Sequence, residues 1–537
     1  MKLKYILSAA LMTAATFGVT GCVGDLDVEN INPQYEGTAN YDGLLGKVYA
    51  NMSLTGQKGP DGWSDLDATV DEGFSSMVRQ IWNANELSTD EALCRWGDAG
   101  IPEYNHNSWG DNHEMLRALY YRLQFGLTIA NYYLDIAPGG SAENNQKRAE
   151  ARFMRALYFY YLMDMFGNPP FVTSVSLETP QQASRAQVFS FIESELKAVA
   201  GETESDEVLA DPRGNTYGRA DKAAAWMLLA RIYLNAKVYI GEEKWNDAKT
   251  YADRCINSGY KLCTESKYSK YTPYQLLFMG DNDTNGAQDE IILPAIFDGE
   301  TAQSWGGTMF IIASTTNSDL TAVYPTGTTA QWEGNRARAQ FSRIFFPNDN
   351  APQGTPTDVS AAANDDRALF FTIDRQVEID DEADFKHGYA YVKFLNTHAD
   401  GSATHHTQFV DTDFPMMRLA EAYLTFAEAD ARLNGGTCTD DGLQKIRALR
   451  SRAHATAPSS TFTLEQIRNE WAKEFGFEGR RRIDLIRFDS FGGQNSYKWE
   501  WMGGTKAGAM FDATKNIFAL PISDLNANSN LKQNPGY

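Results

Sequence analysis

Apolar residues recur at helical spacing over several long stretches of the chain, and most of these stretches come in pairs. Residues 113–136 place Leu116, Leu119, Tyr120, Leu123, Leu127 and Ile129 on one side. Residues 146–166 place Phe153, Leu157 and Tyr160 on one stripe and Met154, Tyr158, Tyr161 and Met165 on a neighbouring one. A helix apolar over so much of its circumference is buried between others. It should stop at Gly167-Asn168-Pro169-Pro170, which cannot continue it. A second pair is predicted at 221–236 (Trp226, Leu229, Ala230, Tyr233, Leu234) and 245–258 (Trp245, Ala248, Ala252, Cys255 and Ile256). A third covers 416–433 (Leu419, Ala422, Tyr423, Phe426, Ala427) and 442–454, and a further helix spans Leu464–Phe475. Helix pairs with small residues at their crossings read as tetratricopeptide-like repeats, although the period is not clean.

Two regions break this pattern. Residues 25–111 are loop-rich. Residues 259–410 are rich in Gly, Asn, Thr, Asp and aromatics, with strand-like runs at Glu290–Leu293, Met309–Ala313 and Ala390–Phe394. A helical scaffold carrying a long irregular insertion is a common way to build a site, because the scaffold holds loops that bind. The predicted fold is mainly α: tetratricopeptide-like helix pairs forming an α-α superhelix, with a loop-rich insertion carrying a few short strands.

The N-terminus belongs to a different problem. Lys2 and Lys4 precede an apolar run from Ile6 to Val19, and Val19-Thr20-Gly21-Cys22 follows. The run is too short to span a bilayer and has the flanks of a signal peptide. Small residues before a cysteine predict cleavage after residue 21 and lipidation of Cys22. Two or more acyl chains there would anchor the protein stably to a membrane. A plain secretory signal with a chance cysteine is the alternative. Residues 22–537 then read as one domain.

Charge narrows the function. A formal net charge of −22 argues against nucleic acid, which needs an excess of Lys and Arg. It also argues against adhesion to anionic lipid head groups. The one basic cluster, Arg480-Arg481-Arg482 with Arg487, lies in a helical pattern beside Glu474, Glu478 and Asp484, so structural pairing is expected. After Cys22 there remain Cys94, Cys255, Cys263 and Cys438, with no CxxC and no zinc spacing. Pairing of Cys255 with Cys263 is left open.

Signatures of catalysis are missing: there is no GxSxG, Walker loop or GxGxxG, and His113-Glu114 lacks the second histidine of a zinc-protease helix. No motif therefore supports enzyme activity, and none excludes it; the non-catalytic reading rests on a family resemblance. Asp281-Asn282-Asp283-Thr284-Asn285-Gly286 fits the opening of a calcium loop, whose alternating oxygens suit a hard cation. The bidentate Glu that would close an EF-hand is missing, so distant carboxylates such as Asp411 or Asp413 would have to complete the site. An Asx turn before a strand accounts for the same residues. Aromatics make up 12% of the chain, with 11 Trp. Trp in Gly- and Asn-rich loops offers flat faces to sugar rings.

Five segments in order resemble the SusD/RagB family of nutrient-binding outer-membrane lipoproteins: Arg148–Phe171, Gly218–Ala236, Arg418–Ala427, Glu470–Phe488 and Leu520–Tyr537. Further phrases at Asp61–Gly73, Asn85–Glu91, Lys261–Thr264, Phe278–Pro294 and Asp411–Leu424 are most similar to the starch-binding branch. The resemblance implies a helical-repeat fold and an α-glucan ligand such as starch or maltooligosaccharides. It also implies a SusC-like TonB-dependent transporter as partner. An arc of three aromatics would carry the glycan, at Trp96, Trp305 and Trp332, with Asp71, Arg79 and Asp98 meeting sugar hydroxyls. It places a calcium loop on Asp281–Glu290, with Asp283 as the first ligand; Asp281, Asn285 and Asp289 of the loop and the distant Asp411 and Asp413 are the further candidates from the motif. The acidic Asp25-Leu26-Asp27 after Cys22 resembles a surface-export signal, which implies a cell-surface location on the outer membrane. A different glycan or a peptide within the same family, a surface hydrolase and a purely structural scaffold are the competing readings.

Overall fold

The computed structural model describes residues 40–62, 64–67, 69–494 and 497–537. The leader and Cys22 lie outside the described residues. The chain divides into residues 1–44 and a body of residues 45–537.

Helices dominate the body. A short helix α1 (Met77–Trp82) precedes α2 (Glu114–Ile136) and α3 (Ala142–Phe166). Then come α4 (Arg185–Val199), α5 (Lys222–Leu234) and α6 (Trp245–Ile256). Within the insertion lies α7 (Thr308–Ser314). The chain returns to the scaffold with α8 (Leu419–Leu433), α9 (Asp440–Arg452), α10 (Leu464–Phe475) and α11 (Arg481–Arg487). From α2 to α6 each helix packs on the next; α6 then packs on α8, and α8 on α9 and α10. The expected scaffold and insertion are thus both present, and α6 meets α8 across the excursion of residues 257–418.

Caps mark the boundaries. Ser141 accepts a hydrogen bond from the Asn144 N–H at the start of α3, and Asp221 accepts two, from Ala223 and Ala224, at the start of α5. Thr463 and Gln466 form a capping box on α10. α3 ends at Gly167, which adopts φ 71°. The sequence reading differs from the structure at several points, among them short helices within the stretches read as loops, such as Ser318–Val323, Ala339–Phe345 and Pro356–Ala363. α4 was not anticipated. The apolar run Met309–Ala313 is helical (α7) and wholly buried, because a short run buried on all sides has no period to separate strand from helix. Residues 414–418, at the start of the predicted third pair, form a strand before α8.

Strands come as antiparallel pairs. β1 (Ala92–Cys94) pairs with β3 (Asn335–Ala337), joining residues far apart in the chain. β2 (Ile291–Ala295) pairs with β4 (Phe414–Arg418), tying the insertion to the base of α8.

The basic cluster is internal. Arg481 forks onto Asp90 at 2.8 Å, Arg487 meets Glu428 and Asp484 at 2.7 Å, and Arg480 meets Asp484 at 3.0 Å. Glu474 sits instead among Arg367, Arg418 and Arg452. His113, the false start of a zinc helix, caps α2: its ring accepts from the Leu116 N–H and its other nitrogen lies 3.0 Å from the Gly100 carbonyl. The four cysteines of the described residues are buried and unpaired, Cys255 and Cys263 included. No helix among the described residues is long and apolar enough to cross a membrane.

Candidate functional site

The tryptophans of the described residues do not behave alike. Trp82, Trp109, Trp471 and Trp499 are fully buried core residues. Trp96, Trp305 and Trp332 are half-buried and form a row. The ring centroids of Trp96 and Trp332 are 6.3 Å apart, and those of Trp332 and Trp305 are 6.2 Å apart. Successive planes are inclined by 58° and 44°. The row is therefore a turning surface rather than a flat one.

Each ring is placed by a different part of the chain. Trp96 follows β1, and Trp332 precedes β3. The pairing of Cys94 with Asn335 brings the two loops together. The Trp332 loop is also sewn to the end of α7: the N–H groups of Trp332, Glu333 and Gly334 donate to the carbonyls of Ala313, Thr316 and Ser314. Ala313 and Ser314 lie in the last turn of α7, where helical carbonyls lack partners four residues on. The Trp96 indole N–H donates to the Trp332 carbonyl at 3.0 Å, and its six-membered ring lies over Gly334. A Cβ at position 334 would stand 2.5 Å from the ring carbons Cε2 and Cζ2 of Trp96, so glycine is required for this approach. Trp305 precedes Gly306, which packs so closely on Ser76, the N-cap of α1, that a Cβ there would collide with it. The Ser76 hydroxyl donates to the Gly306 carbonyl at 2.7 Å.

Polar groups edge the row. Arg79 projects from α1 with its guanidinium over Phe310 (4.5 Å) and near Trp96 (5.8 Å). Its Nη1 donates to the Gly73 carbonyl at 2.9 Å, while its Nε is buried with no hydrogen-bond partner. Burial lowers this guanidinium to about 10, against the upward pull of Cys94, Asp98 and Asp71. It is a cation at neutral pH. Asp71 and Asp98 are exposed, and Asp71 accepts from the Gly73 N–H at 2.8 Å. All six residues named for glycan contact thus fall in one region. Sequence reading missed Asp61, whose Oδ1 accepts from the Trp305 indole at 2.8 Å, and Phe409, whose ring lies 4.6 Å from that of Trp305. Nothing local marks either, since both contacts join distant segments.

The calcium candidates are arranged differently. The two carboxylate oxygens of Asp281 accept from Asn285 and from the Ala399 N–H. Asn285 Oδ1 accepts from the Ala287 N–H. Asp289 pairs with Arg213 at 2.6 Å, and Asp283 is exposed. Asp411 is engaged by His398 and His405. Asp413 accepts from the Phe297 N–H and the Tyr217 hydroxyl; burial raises it to about 8, with Asp283 and Asp298 adding to the rise. Asp411 Oδ1 is buried without a hydrogen-bond partner, and among the described residues no group of three or more acidic, His or Cys side chains is gathered as a metal site.

Comparison with known proteins places the chain. Residues 238–537 match the family described as "SusD family", and residues 26–234 match one described as "Starch-binding associating with outer membrane". The chain is 39% identical over its whole length, and the relative's whole length, to "Starch-binding protein SusD" of Bacteroides thetaiotaomicron. Among solved structures, a SusD-like protein from Bacteroides fragilis superposes with a TM-score of 0.68 at 16% identity, covering 93% of this chain and 96% of that one. Surface glycan-binding protein A from Bacteroides fluxus gives 0.65 at 19% identity, covering 93% and 99%. The structures show the shared fold, and the sequence matches show the kinship: the chain belongs to the SusD family.

Proposed function

We propose that this protein is a non-catalytic, lipid-anchored glycan-binding protein of the cell surface. It captures starch and maltooligosaccharides and passes them to a SusC-like TonB-dependent transporter. The observation that carries the reading is the inclined row of Trp96, Trp332 and Trp305. Sugar rings have apolar C–H faces that lie on indole planes. A helical α-glucan presents such faces along a curve, as a turning row requires, whereas a flat ribbon would meet only one plane well. Arg79, Asp71 and Asp98 edge the row and offer a donor and acceptors to equatorial hydroxyls. Three stacked rings at about 1 kcal/mol each, together with hydrogen bonds to hydroxyls at about 1 kcal/mol each, give weak binding in the millimolar range or somewhat tighter, roughly −4 to −6 kcal/mol. Capture of that strength suits a ligand that is handed on. The names carried by the matched family and by the full-length relative, which concern starch binding, support the choice of ligand.

Calorimetry and affinity electrophoresis with starch and maltooligosaccharides test this. Trp96→Ala, Trp305→Ala and Trp332→Ala should each weaken binding while the protein still melts cooperatively. A folded wild-type protein that binds neither ligand sinks the proposal, and steady release of reducing ends from starch overturns its non-catalytic part. Calcium at the Asp281–Asp289 loop is a separate proposal. It would require the hydrogen bonds of Asp281 and Asn285 to be exchanged for metal contacts.

A further inference from the structure

The three indoles are not held alike. Trp96 and Trp332 belong to loops fastened to each other. The Arg95 N–H donates to the Gly334 carbonyl at 3.0 Å, the Trp96 indole donates to the Trp332 carbonyl, and Arg95 and Glu333 form an ion pair at 3.3 Å. Their mutual geometry is set by backbone. Trp305 stands on a third loop. Ser76 anchors that loop at Gly306, one residue past the ring, which leaves the side-chain torsions of Trp305 to be fixed by what the indole itself touches. On one side that is the Phe409 ring, 4.6 Å away and inclined by 52°. The hydrogen bond that orients the indole N–H goes to Asp61 at 2.8 Å, an exposed side chain 244 residues away in the sequence.

We propose that Asp61 is a positioning residue for the third plane of the row: its carboxylate holds the Trp305 indole at the inclination that a curved glycan must match. The proposal rests on the glycan-binding reading above. The ring lies between Phe409 and Trp332. Packing against two tilted rings sets its inclination less sharply than the directional bond to Asp61 does, so its orientation loosens when that bond is removed. A ligand that needs all three planes then binds only the fraction of molecules with the ring in place. A ligand short enough to use Trp96 and Trp332 alone is indifferent. Asp61 therefore acts on the length and curvature of the glycan accepted rather than on adhesion to sugar in general.

The experiment compares Asp61→Ala, Asp61→Asn, Trp305→Phe and the double variant Asp61→Ala/Trp305→Phe, titrated with maltoheptaose and with maltose. Asp61→Ala should weaken maltoheptaose roughly three- to tenfold, the range of one ordinary hydrogen bond, and leave maltose and the melting temperature unchanged. Asp61→Asn, which keeps an acceptor oxygen, should restore most of the loss. Trp305→Phe keeps a ring but has no N–H, so adding Asp61→Ala to it should cost nothing more. A loss of equal size in the Trp305→Phe background would mean that Asp61 touches sugar directly and overturns the positioning role. Wild-type binding with no effect of Asp61→Ala also overturns it, alone. Failure of the wild-type protein to bind any glycan overturns the functional reading and this inference with it.

Discussion

Gly334→Ala is the smallest change that should dismantle the row without touching an aromatic residue. The added methyl carbon would lie 2.5 Å from two carbons of the Trp96 indole, where carbon–carbon contacts settle at roughly 3.5–4.0 Å. The ring must therefore retreat by ~1 Å or more. It can do so only by giving up its hydrogen bond to the Trp332 carbonyl and its inclination to Trp332. Overpacking of this kind costs about 1–3 kcal/mol of stability. Loss of one stacked face costs about 1 kcal/mol of binding, about fivefold in affinity. Gly97→Ala is the matched control, since its new methyl would meet nothing within 4 Å. Calorimetry with maltoheptaose and thermal melting are read side by side. Gly334→Ala should bind at least about fivefold more weakly than Gly97→Ala. Removing the obstacle in Gly334→Ala/Trp96→Ala should recover part of the lost melting temperature, a non-additivity expected of residues in contact. Equal affinity of the two glycine variants, or strictly additive melting shifts, would refute the steric argument.

Three further outcomes are expected. Burial lowers His113 from 6.5 to about 4; the folded protein then binds fewer protons than the unfolded one between those values, and stability should fall by about 3 kcal/mol as pH drops across that window. His113→Asn keeps an acceptor at the cap and should lose this part of the slope in urea titrations at pH 7 and pH 4, whereas an unchanged slope would count against the assignment. Although its burial favours the neutral form, Arg452, Arg418 and Arg367 hold Glu474 well below the ordinary glutamate range. Glu474→Gln removes a carboxylate all three share, but each keeps another partner among Asp365, Glu470, Glu290 and Glu478. The cost by chemical denaturation should therefore be about 1–3 kcal/mol, short of the ~3–5 kcal/mol of a fully broken buried pair, and a loss under ~0.5 kcal/mol would contradict the network's role. If the Asp281–Asp289 loop takes calcium, added calcium should raise the melting temperature and a chelator should lower it; identical melting together with no metal by elemental analysis would remove the site.

Much of the scaffold was legible because α2, α3, α5, α6, α8 and α10 carry their apolar residues at a regular helical interval. α4 was not, although Val188, Phe189, Ile192 and Leu196 are buried at helical spacing, since it follows a turn-rich stretch with no repeat partner to flag it. In the insertion, the apolar run of α7 misled because burial on every side erases periodicity. The three site tryptophans could be picked out by family likeness and by their Gly- and Asp-bearing loops. What held them could not. Phe310 beneath Arg79, Phe409 beside Trp305 and Asp61 at its N–H are contacts across the fold, and no local pattern encodes them. In the calcium motif, which the sequence does display, the side-chain oxygens of Asp281 and Asn285 accept hydrogen bonds from neighbours, contacts the motif itself does not encode.

The meeting of α6 with α8 across residues 257–418 also bears on the order in which the molecule assembles. The hairpins of successive helices need only short chain closures, whereas α6 against α8, and β1 against β3, require the ends of very long ones. Closure entropy grows slowly with length, but contacts between distant segments still form late. Trp96 and Trp332 reach their places only with the β1–β3 pairing, so the binding face should be among the last parts to mature. Glycan binding would then report a completed fold, and partly folded chains would have no means of engaging the ligand.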